Sequence, residues 1–239
     1  MSDQTCLITG NSAGLGLSFT KNLLGRGARV YGFSRRGSDF EHNRLRDARI
    51  NLADTDSVKP MLKDLLAGVE KLDLVVLNAG ILGEIEPMQQ LKMKALQTLM
   101  DINVWSNKLI LDFLYENGIE VKQVVAISSG AAVNGNKGWG AYSLSKATLN
   151  MLIKLYAAEH TETHFTALAP GLVDTQMQDH LCDPASVDES QFPSVKKLRA
   201  ARGTQAMPTP AVAAENMISI FPRLNSDIVS GEFIDMRSL

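Results

Sequence analysis

The segment Thr9-Gly10-Asn11-Ser12-Ala13-Gly14-Leu15-Gly16 is the most informative part of the first thirty residues of this 239-residue sequence. It follows an apolar run at residues 6–9 and opens an amphipathic stretch at 15–24, which predicts a strand, a glycine turn and a helix. Glycines in such a turn let the backbone approach a pyrophosphate, whose charge then lies against free N–H groups at the helix N-terminus. This position predicts a dinucleotide-binding fold; the alternative is a tight turn that needs glycine only for its own geometry.

Apolar runs and longer amphipathic stretches alternate along the rest of the chain. Further strands are predicted at 30–34, 50–52, 72–77, 124–128, 165–168 and 231–236, and helices after residue 54 and at 91–114, 142–159 and 211–221. Strands that are apolar throughout, separated by helices of ten or more residues, indicate a parallel sheet covered on both faces. We therefore predict one α/β domain over residues 1–239, a doubly wound Rossmann fold with about seven parallel strands.

Residues 175–210 depart from this alternation, because charge, proline and polar residues crowd together and the periodicity is weak. We predict an irregular excursion from the sheet that contributes to substrate binding, since long irregular segments are more often functional or mobile than part of a core. Its basic cluster consists of Lys196, Lys197, Arg199 and Arg202. The cluster is either a solvated helix face or a contact to an anionic ligand.

Composition excludes several classes of protein. The 24 Lys and Arg against 26 Asp and Glu give a net charge of −2, and 45% of residues are hydrophobic, which excludes a disordered chain and gives no overall field that attracts nucleic acid or anionic membrane. No window has the roughly 18 apolar residues of a membrane span, and no signal-peptide pattern is present. Cys6 and Cys182 form neither a disulfide framework nor a metal spacing. We expect a cytoplasmic protein without metal, nucleic-acid or membrane partners.

The glycine spacing resembles that of the short-chain dehydrogenase/reductase family in its compact form, which carries T-G-x-x-x-G-x-G, and later motifs extend the resemblance over nearly the whole chain. The resemblance implies that the turn binds the cofactor through Gly10, Asn11, Ser12, Gly14, Leu15 and Gly16. It also implies that Asn51 and Leu52 contact adenine, where the family usually has Asp at the first position. Asn78, Ala79 and Gly80 match the family's N-N-A-G except for Leu77, and would lie beside the adenosine.

Ser34, Arg35 and Arg36 follow the second predicted strand. Dinucleotide-binding folds that select NAD place an acidic residue there to bond the ribose 2′-hydroxyl. Without that carboxylate nothing repels a 2′-phosphate, and a guanidinium can bind it bidentately. The sequence therefore predicts NADP(H) over NAD(H), with an exposed basic turn as the alternative.

Tyr142 and Lys146 are four residues apart at the start of a predicted helix and share one face. The Lys146 ammonium favours the phenolate, so we expect the pKa of Tyr142 to fall below its ordinary value of about 10. Such a tyrosine can donate its proton to a carbonyl oxygen. Ser129 ends a neighbouring strand and can hydrogen-bond the same oxygen; Ser128 is the competing candidate, and the spacing in the family favours Ser129.

The resemblance implies further roles. Asn103 would be the fourth catalytic residue and help to hold a water linked to Lys146, which would also bond the nicotinamide ribose. The segment 170–175 is similar to the family's P-G-x-x-x-T, so Pro170, Gly171, Val173 and Thr175 would contact the nicotinamide. Relatives pair through the helices that here contain Asn103 and Tyr142, which implies a homodimer or homotetramer.

The substrate should lie between the loop from Ser129 to Tyr142 and the excursion after Thr175. Predicted wall residues are Ser129, Ala131, Trp139, Met177, Leu181 and Phe192. The Ser-Arg-Arg of residues 34–36 and the glycine-poor end at 230–236 are similar to the branch of sepiapterin and benzil reductases, which implies NADPH-dependent reduction of a ketone or dicarbonyl. The alternatives are a 3-oxoacyl or other general carbonyl reductase or alcohol dehydrogenase, an NADPH-binding regulator without turnover, and a methyltransferase with a glycine-rich first turn.

Overall fold

The computed structural model describes residues 4–239. The strands are β1 (Thr5–Thr9), β2 (Arg29–Ser34), β3 (Leu45–Arg49), β4 (Lys71–Leu72), β5 (Leu74–Leu77), β6 (Glu120–Val121), β7 (Gln123–Ile127), β8 (His164–Ala169) and β9 (Phe233–Asp235). The α-helices are α1 (Gly14–Gly25), α2 (Val58–Leu65), α3 (Met93–Met100), α4 (Ser106–Glu116), α5 (Gly140–Glu159), α6 (Gln176–Cys182), α7 (Pro193–Ala201) and α8 (Pro210–Asp227).

In residues 4–239, seven strands form a parallel sheet of order β3-β2-β1-β5-β7-β8-β9, and β4 pairs with β6 in a separate two-stranded ladder. The predicted doubly wound Rossmann fold in a single domain is confirmed. The chain runs outward from β1 to β3 and then returns to β5, on the other side of β1. Ligands of such sheets bind beyond the carboxyl ends of the strands at this switch point.

The sheet is buried on both faces. Leu7, Val75 and Phe165 pack with α2, α4 and α5 on one face, whereas their strand neighbours Ile8 and Val76 pack with α1 and α8 on the other. Successive side chains of a strand point to opposite faces, so two apolar faces produce the uninterrupted apolar runs of the sequence. The central strands are therefore rigidly held, and the loops at their carboxyl ends are positioned with them.

The strand predicted at 50–52 is wrong. The third strand is β3, and it ends at Arg49, just before Ile50. β3 is an edge strand in which Arg46, Asp47 and Arg49 are exposed, so no apolar run marks it. The strand predicted at 72–77 is divided, because Leu72 pairs with Val121 outside the main sheet.

Two predicted segments also differ in detail. The helix predicted at 91–114 is α3 and α4 joined by a turn of π-helix at Asp101–Trp105. The excursion 175–210 contains α6 and α7, because Leu181, Leu198 and Phe192 bury apolar surface that an irregular chain would leave exposed. Within residues 4–239, no helix combines the length and the apolar character needed to cross a bilayer.

Candidate active site

A cavity of about 750 Å³ opens at the carboxyl ends of β1, β5, β7 and β8. Its walls come from the turns that follow these strands and from α6 and α7. This volume lies within the range of roughly 300–1,000 Å³ that is typical of small-molecule sites. The cavity lies at the switch point of the sheet, where the fold favours ligand binding.

The glycine turn forms one end of the cavity. Gly10 has a φ of +71° and Gly14 a φ of +51°, which other residues rarely adopt. A Cβ on Gly16 would lie 2.2 Å from the carbonyl oxygen of Gly10, so the turn closes tightly on α1. The N-cap residue of α1, Ala13, makes no side-chain capping bond, and the first turn has no acidic residue. Its N–H groups are thus free for an anion, and this cradle fits the pyrophosphate of a dinucleotide.

The loop after β5 holds this turn in place. The Asn78 amide donates to the carbonyl oxygen of Thr9 over 2.9 Å. The Thr9 hydroxyl accepts the backbone N–H groups of Asn78 at 2.9 Å and Ala79 at 2.8 Å. Asn78, Ala79 and Gly80 all line the cavity, so these residues position the turn and face the ligand space as well.

Two residues of the turn lie away from the cavity wall, Asn11 and Gly16. Asn11 is fully buried and donates from Nδ2 to Oδ1 of Asp47 over 2.5 Å. Gly32 makes room for this amide, because a Cβ there would lie 2.2 Å from Asn11 Nδ2. The Asn11 side chain therefore makes a structural contact, and the role of this residue in cofactor binding stays a prediction.

Asp47 was not found from the sequence. Besides Asn11, it accepts the backbone N–H of Ser38 through Oδ2 at 2.8 Å. Its carboxylate thus joins the turn after β1 to the loop after β2. An exposed acidic residue on a strand without apolar pattern gives no sequence signal for this role.

The loop after β2 brings Ser34, Arg35 and Arg36 to the cavity. Both arginines are exposed, and neither makes a hydrogen bond or ion pair within residues 4–239. The Ser34 hydroxyl accepts the N–H of Gly37 over 3.1 Å, which leaves its own proton free to donate. Further along the same wall lie Ile50, Asn51 and Leu52.

Ser129 and Tyr142 both line the cavity, and Tyr142 hydrogen-bonds the Ser129 side chain. Ser129 Oγ also accepts the N–H of Ala131 over 3.1 Å. The hydroxyl of Ser128 instead donates to Oδ1 of Asn150 over 2.5 Å. The geometry therefore distinguishes the two serines that the sequence left in competition, and it pairs Ser129 with the tyrosine.

Burial controls the protonation of the tyrosine and lysine. Protein atoms surround the Tyr142 hydroxyl, and this burial raises the pKa of Tyr142 to about 12 despite the bond to Ser129. Lys146 Nζ donates to the carbonyl oxygen of Ile127 over 2.8 Å, and burial lowers the pKa of Lys146 to about 8. The expected lowering of the Tyr142 pKa by Lys146 is thus not found, because desolvation of the hydroxyl outweighs its hydrogen bond to Ser129.

Asn103 is fully buried in the π-helical turn and lies behind the cavity wall. Its Oδ1 accepts the N–H of Ile81 over 2.8 Å, and its Nδ2 donates to the Ile81 carbonyl at 2.9 Å and to Ser145 Oγ at 3.0 Å. A Cβ on Gly80 would lie 3.2 Å from Asn103 Oδ1 and 3.5 Å from Lys146 Nζ. The side chain thus fixes α5 against the loop after β5, beside the lysine.

The loop after β8 closes the opposite wall through Pro170, Gly171, Val173 and Thr175, whose contact with the cofactor stays a prediction. Gly171 has a φ of +74°, and a Cβ there would lie 3.4 Å from the Arg237 side chain. Arg237 also lines the cavity, a role that the sequence analysis missed. It lies far along the chain from every motif, so only the pairing of β9 with β8 brings it there.

The cavity is lined by Ala131, Trp139, Met177 and Leu181, four of the residues predicted to contact the substrate; that contact stays a prediction. Phe192 is the exception. Its side chain is buried with Val187 and Val195 behind Trp139 and does not reach the cavity. The Trp139 indole is held by a 2.8 Å hydrogen bond from Nε1 to Ser194 Oγ, so one aromatic wall is fixed to α7.

Comparison with known proteins gives the family. A model described as short chain dehydrogenase matches residues 4–185. The chain belongs to the short-chain dehydrogenase family. Membership makes the protein an oxidoreductase that acts on CH–OH or C=O groups and binds a nicotinamide cofactor.

Relatives within the short-chain dehydrogenase family match almost end to end. The chain is 26% identical over 228 residues to the benzil reductase ((S)-benzoin forming) of Bacillus subtilis (strain 168), covering 91% of this chain and 93% of that protein. It is 28% identical over 242 residues to the 3-oxoacyl-[acyl-carrier-protein] reductase FabG of Rickettsia bellii, covering 97% and 94%. The crystal structure of YIR035C, a short chain dehydrogenase/reductase from Saccharomyces cerevisiae, superimposes with a TM-score of 0.84 at 25% identity, covering 98% and 96%.

Proposed function

We propose that the protein is an NADPH-dependent carbonyl reductase that converts a ketone or vicinal dicarbonyl into the alcohol. The observation that carries this proposal is the hydrogen-bonded pair of Tyr142 and Ser129 within one cavity with the glycine turn and the arginine loop. A proton donor and a cofactor cradle in a shared cavity are what hydride transfer to a carbonyl requires.

Tyr142 acts as the general acid. With a pKa raised to about 12, its hydroxyl holds its proton at neutral pH and can donate it to the substrate oxygen. Ser129 bonds the same oxygen and orients the carbonyl. Bound reduced nicotinamide supplies the hydride to the carbonyl carbon, so one hydride and one proton give the alcohol. Lys146, held by Ile127, places a cation 5.7 Å from the Tyr142 ring centroid and offers donors for a ribose hydroxyl.

Preference for NADPH is supported by the unpartnered Arg35 and Arg36 at the cavity and by the free proton of Ser34. No acidic residue lines the described part of the cavity near them. A 2′-phosphate therefore meets donors and positive charge and no carboxylate, whereas a 2′-hydroxyl lacks the acceptor that NAD-selective sites offer.

A dicarbonyl substrate is supported by the benzil reductase relative and by the aromatic wall of Trp139, whose ring centroid lies 6.2 Å from that of Tyr142. The segment 175–210 contributes α6 and α7 to this wall and is the part of the chain proposed to select the substrate. A 3-oxoacyl thioester is the second candidate, favoured by the similarity to the Rickettsia bellii enzyme.

The test is NADPH oxidation measured against a panel that contains an aromatic diketone, a pterin ketone, a quinone, an aldehyde and a 3-oxoacyl thioester. We expect turnover of the diketone, with NADH a poorer donor. Tight NADPH binding without turnover of any member would contradict the proposal and favour a regulator.

We also infer a homodimer or homotetramer. Leu144, Met151 and Leu155 are exposed at one helical face of α5, and Trp105 is partly exposed in the π-helical turn just before α4. Apolar side chains spaced by seven and four residues form a continuous stripe suited to a second copy. Light scattering should show an oligomer, and Met151→Glu with Leu155→Glu should yield monomers; a monomeric unmodified protein would refute the inference.

A further inference from the structure

The charged residues that line the described cavity are all cationic. Its described lining residues include no Asp or Glu, and five are cationic: Arg35, Arg36, Lys146, Lys197 and Arg237. The proposed function uses the first three. Arg237 is neutralised by Asp235, which accepts from its Nε at 2.9 Å and its Nη2 at 2.6 Å. Lys197 is left without an assigned role.

The four basic residues at 196–202 differ in the partners that they contact. Arg199 pairs with Glu189 and donates to the carbonyl oxygens of Leu181, Asp183 and Val187. All these partners lie within the excursion 175–210, so the bonds hold the excursion together internally. Arg202 pairs with Asp174 and Asp179. Lys196 and Lys197 are both exposed, and neither makes a hydrogen bond or ion pair with any residue of the range 4–239. Only Lys197 lines the cavity.

Lys197 is positioned relative to the candidate catalytic residues through α7. Ser194, Lys197 and Leu198 line the cavity at i, i+3 and i+4, which is one face of the helix. Ser194 accepts the Trp139 Nε1–H, and Trp139 packs edge-on against Tyr142. Three residues along a helix correspond to a rise of about 4.5 Å, so Lys197 stands one turn beyond this tether.

The surface between the cation and the tyrosine is apolar. Leu82, Leu181 and Leu198 are buried together there, with Trp139 and Met177 packed against them. A ligand that reaches from Tyr142 to Lys197 therefore needs an apolar middle. An ammonium without a partner, in a cavity whose described lining contains no carboxylate, attracts an anion.

We propose that the substrate is an oxo acid, in which a carbonyl bound by Ser129 and Tyr142 is joined through an aryl or alkyl body to a carboxylate that pairs with Lys197. This inference rests on the proposed function and names the substrate class of the same site. A lysine binds such a carboxylate as a point charge, so it selects for the anion and tolerates different apolar bodies.

The experiment compares an aryl oxo acid with its methyl ester, which has the same carbonyl and the same body without the charge. The value of kcat/KM is measured for both with the unmodified enzyme, Lys197→Gln, Lys197→Glu and the control Lys196→Gln. We expect the unmodified enzyme to prefer the acid. Lys197→Gln should reduce the acid-to-ester ratio by about three- to tenfold, mainly through KM. Lys197→Glu should invert the preference, and Lys196→Gln should leave it unchanged.

A ratio in Lys197→Gln equal to that of the Lys196→Gln control overturns the inference, as does a preference of the unmodified enzyme for the ester. Equal losses for acid and ester, with weaker NADPH binding, also overturn it, because Lys197 would then bind the cofactor. These outcomes leave the proposed function intact, whereas absence of turnover for both compounds and for the carbonyl panel counts against the proposed function itself.

Discussion

Lys146 donates from Nζ to the main-chain carbonyl oxygen of Ile127 over 2.8 Å, at the carboxyl end of β7. This bond ties a buried cation of the cavity wall to a strand that is buried on both faces. Tyr142 stands one helical turn earlier on α5, with Lys146 Nζ 5.7 Å from its ring centroid. The sheet therefore sets the position of the ammonium, and α5 sets that of the phenol.

The buried lysine predicts a pH dependence of stability for the free protein. Its pKa is about 8 in the folded state, below its ordinary value of 10.5. Between these values the unfolded chain binds the proton more tightly, so the stability contribution of Lys146 rises as pH increases from 8 toward 10. Chemical unfolding of the unmodified protein and of Lys146→Met over this range should show a difference that grows with pH in favour of lysine. A constant difference would show that Lys146 titrates normally.

The two arginines of the loop after β2, Arg35 and Arg36, predict a preference for NADPH over NADH. Arg35→Asp should weaken NADPH binding by roughly tenfold or more relative to NADH, because it removes a charge-assisted bond and adds repulsion to the 2′-phosphate. Calorimetric titration with both cofactors measures this ratio. Arg26→Asp is the matched control, since Arg26 is exposed and does not line the cavity. Equal weakening of both cofactors by Arg35→Asp would be incompatible with the assignment.

The carboxylate of Asp47 predicts a structural coupling between the turn after β1 and the loop after β2. Asp47→Asn cannot accept from both Asn11 and Ser38, so it should lower the free energy of unfolding by about 1 kcal/mol or more. In the double variant Asn11→Asp with Asp47→Asn, the donor and acceptor are exchanged and the bond can re-form. Denaturant unfolding should show partial recovery in the double variant; additive losses would mean that the two side chains do not interact.

The central strands were predictable because burial on both faces leaves an apolar run, as in β1, β7 and β8. β3 was not, because an edge strand with exposed Arg46, Asp47 and Arg49 carries no such run. Within the site, the motifs predicted which backbone turns meet. They did not predict side-chain direction, which depends on packing: Asn11 turns toward Asp47, and Phe192 turns behind Trp139.

Because the sequence does not show how elements pack, it also did not reveal that Arg237 and Lys197 line the cavity. Arg237 reaches the cavity only through the pairing of β9 with β8, which the sequence pattern does not fix. The orientation of α7 separates Lys197 from Lys196, although both belong to one basic cluster in the sequence. The raised pKa of Tyr142 was missed because desolvation depends on the number of atoms around the hydroxyl, and spacing along a helix carries no information about it.

The most direct test of the account is the turnover of Tyr142→Phe. Removing the hydroxyl removes the proton donor and leaves the ring, so carbonyl reduction with NADPH should fall by about 100-fold or more. The dissociation constant of NADPH should stay within about twofold, since Gly10, Arg35 and Lys146 are unchanged. Single-turnover measurement of NADPH oxidation together with calorimetric NADPH binding gives both quantities. Loss of turnover with retained binding is the predicted result, and undiminished carbonyl reduction by Tyr142→Phe would contradict the assignment of Tyr142 as the acid.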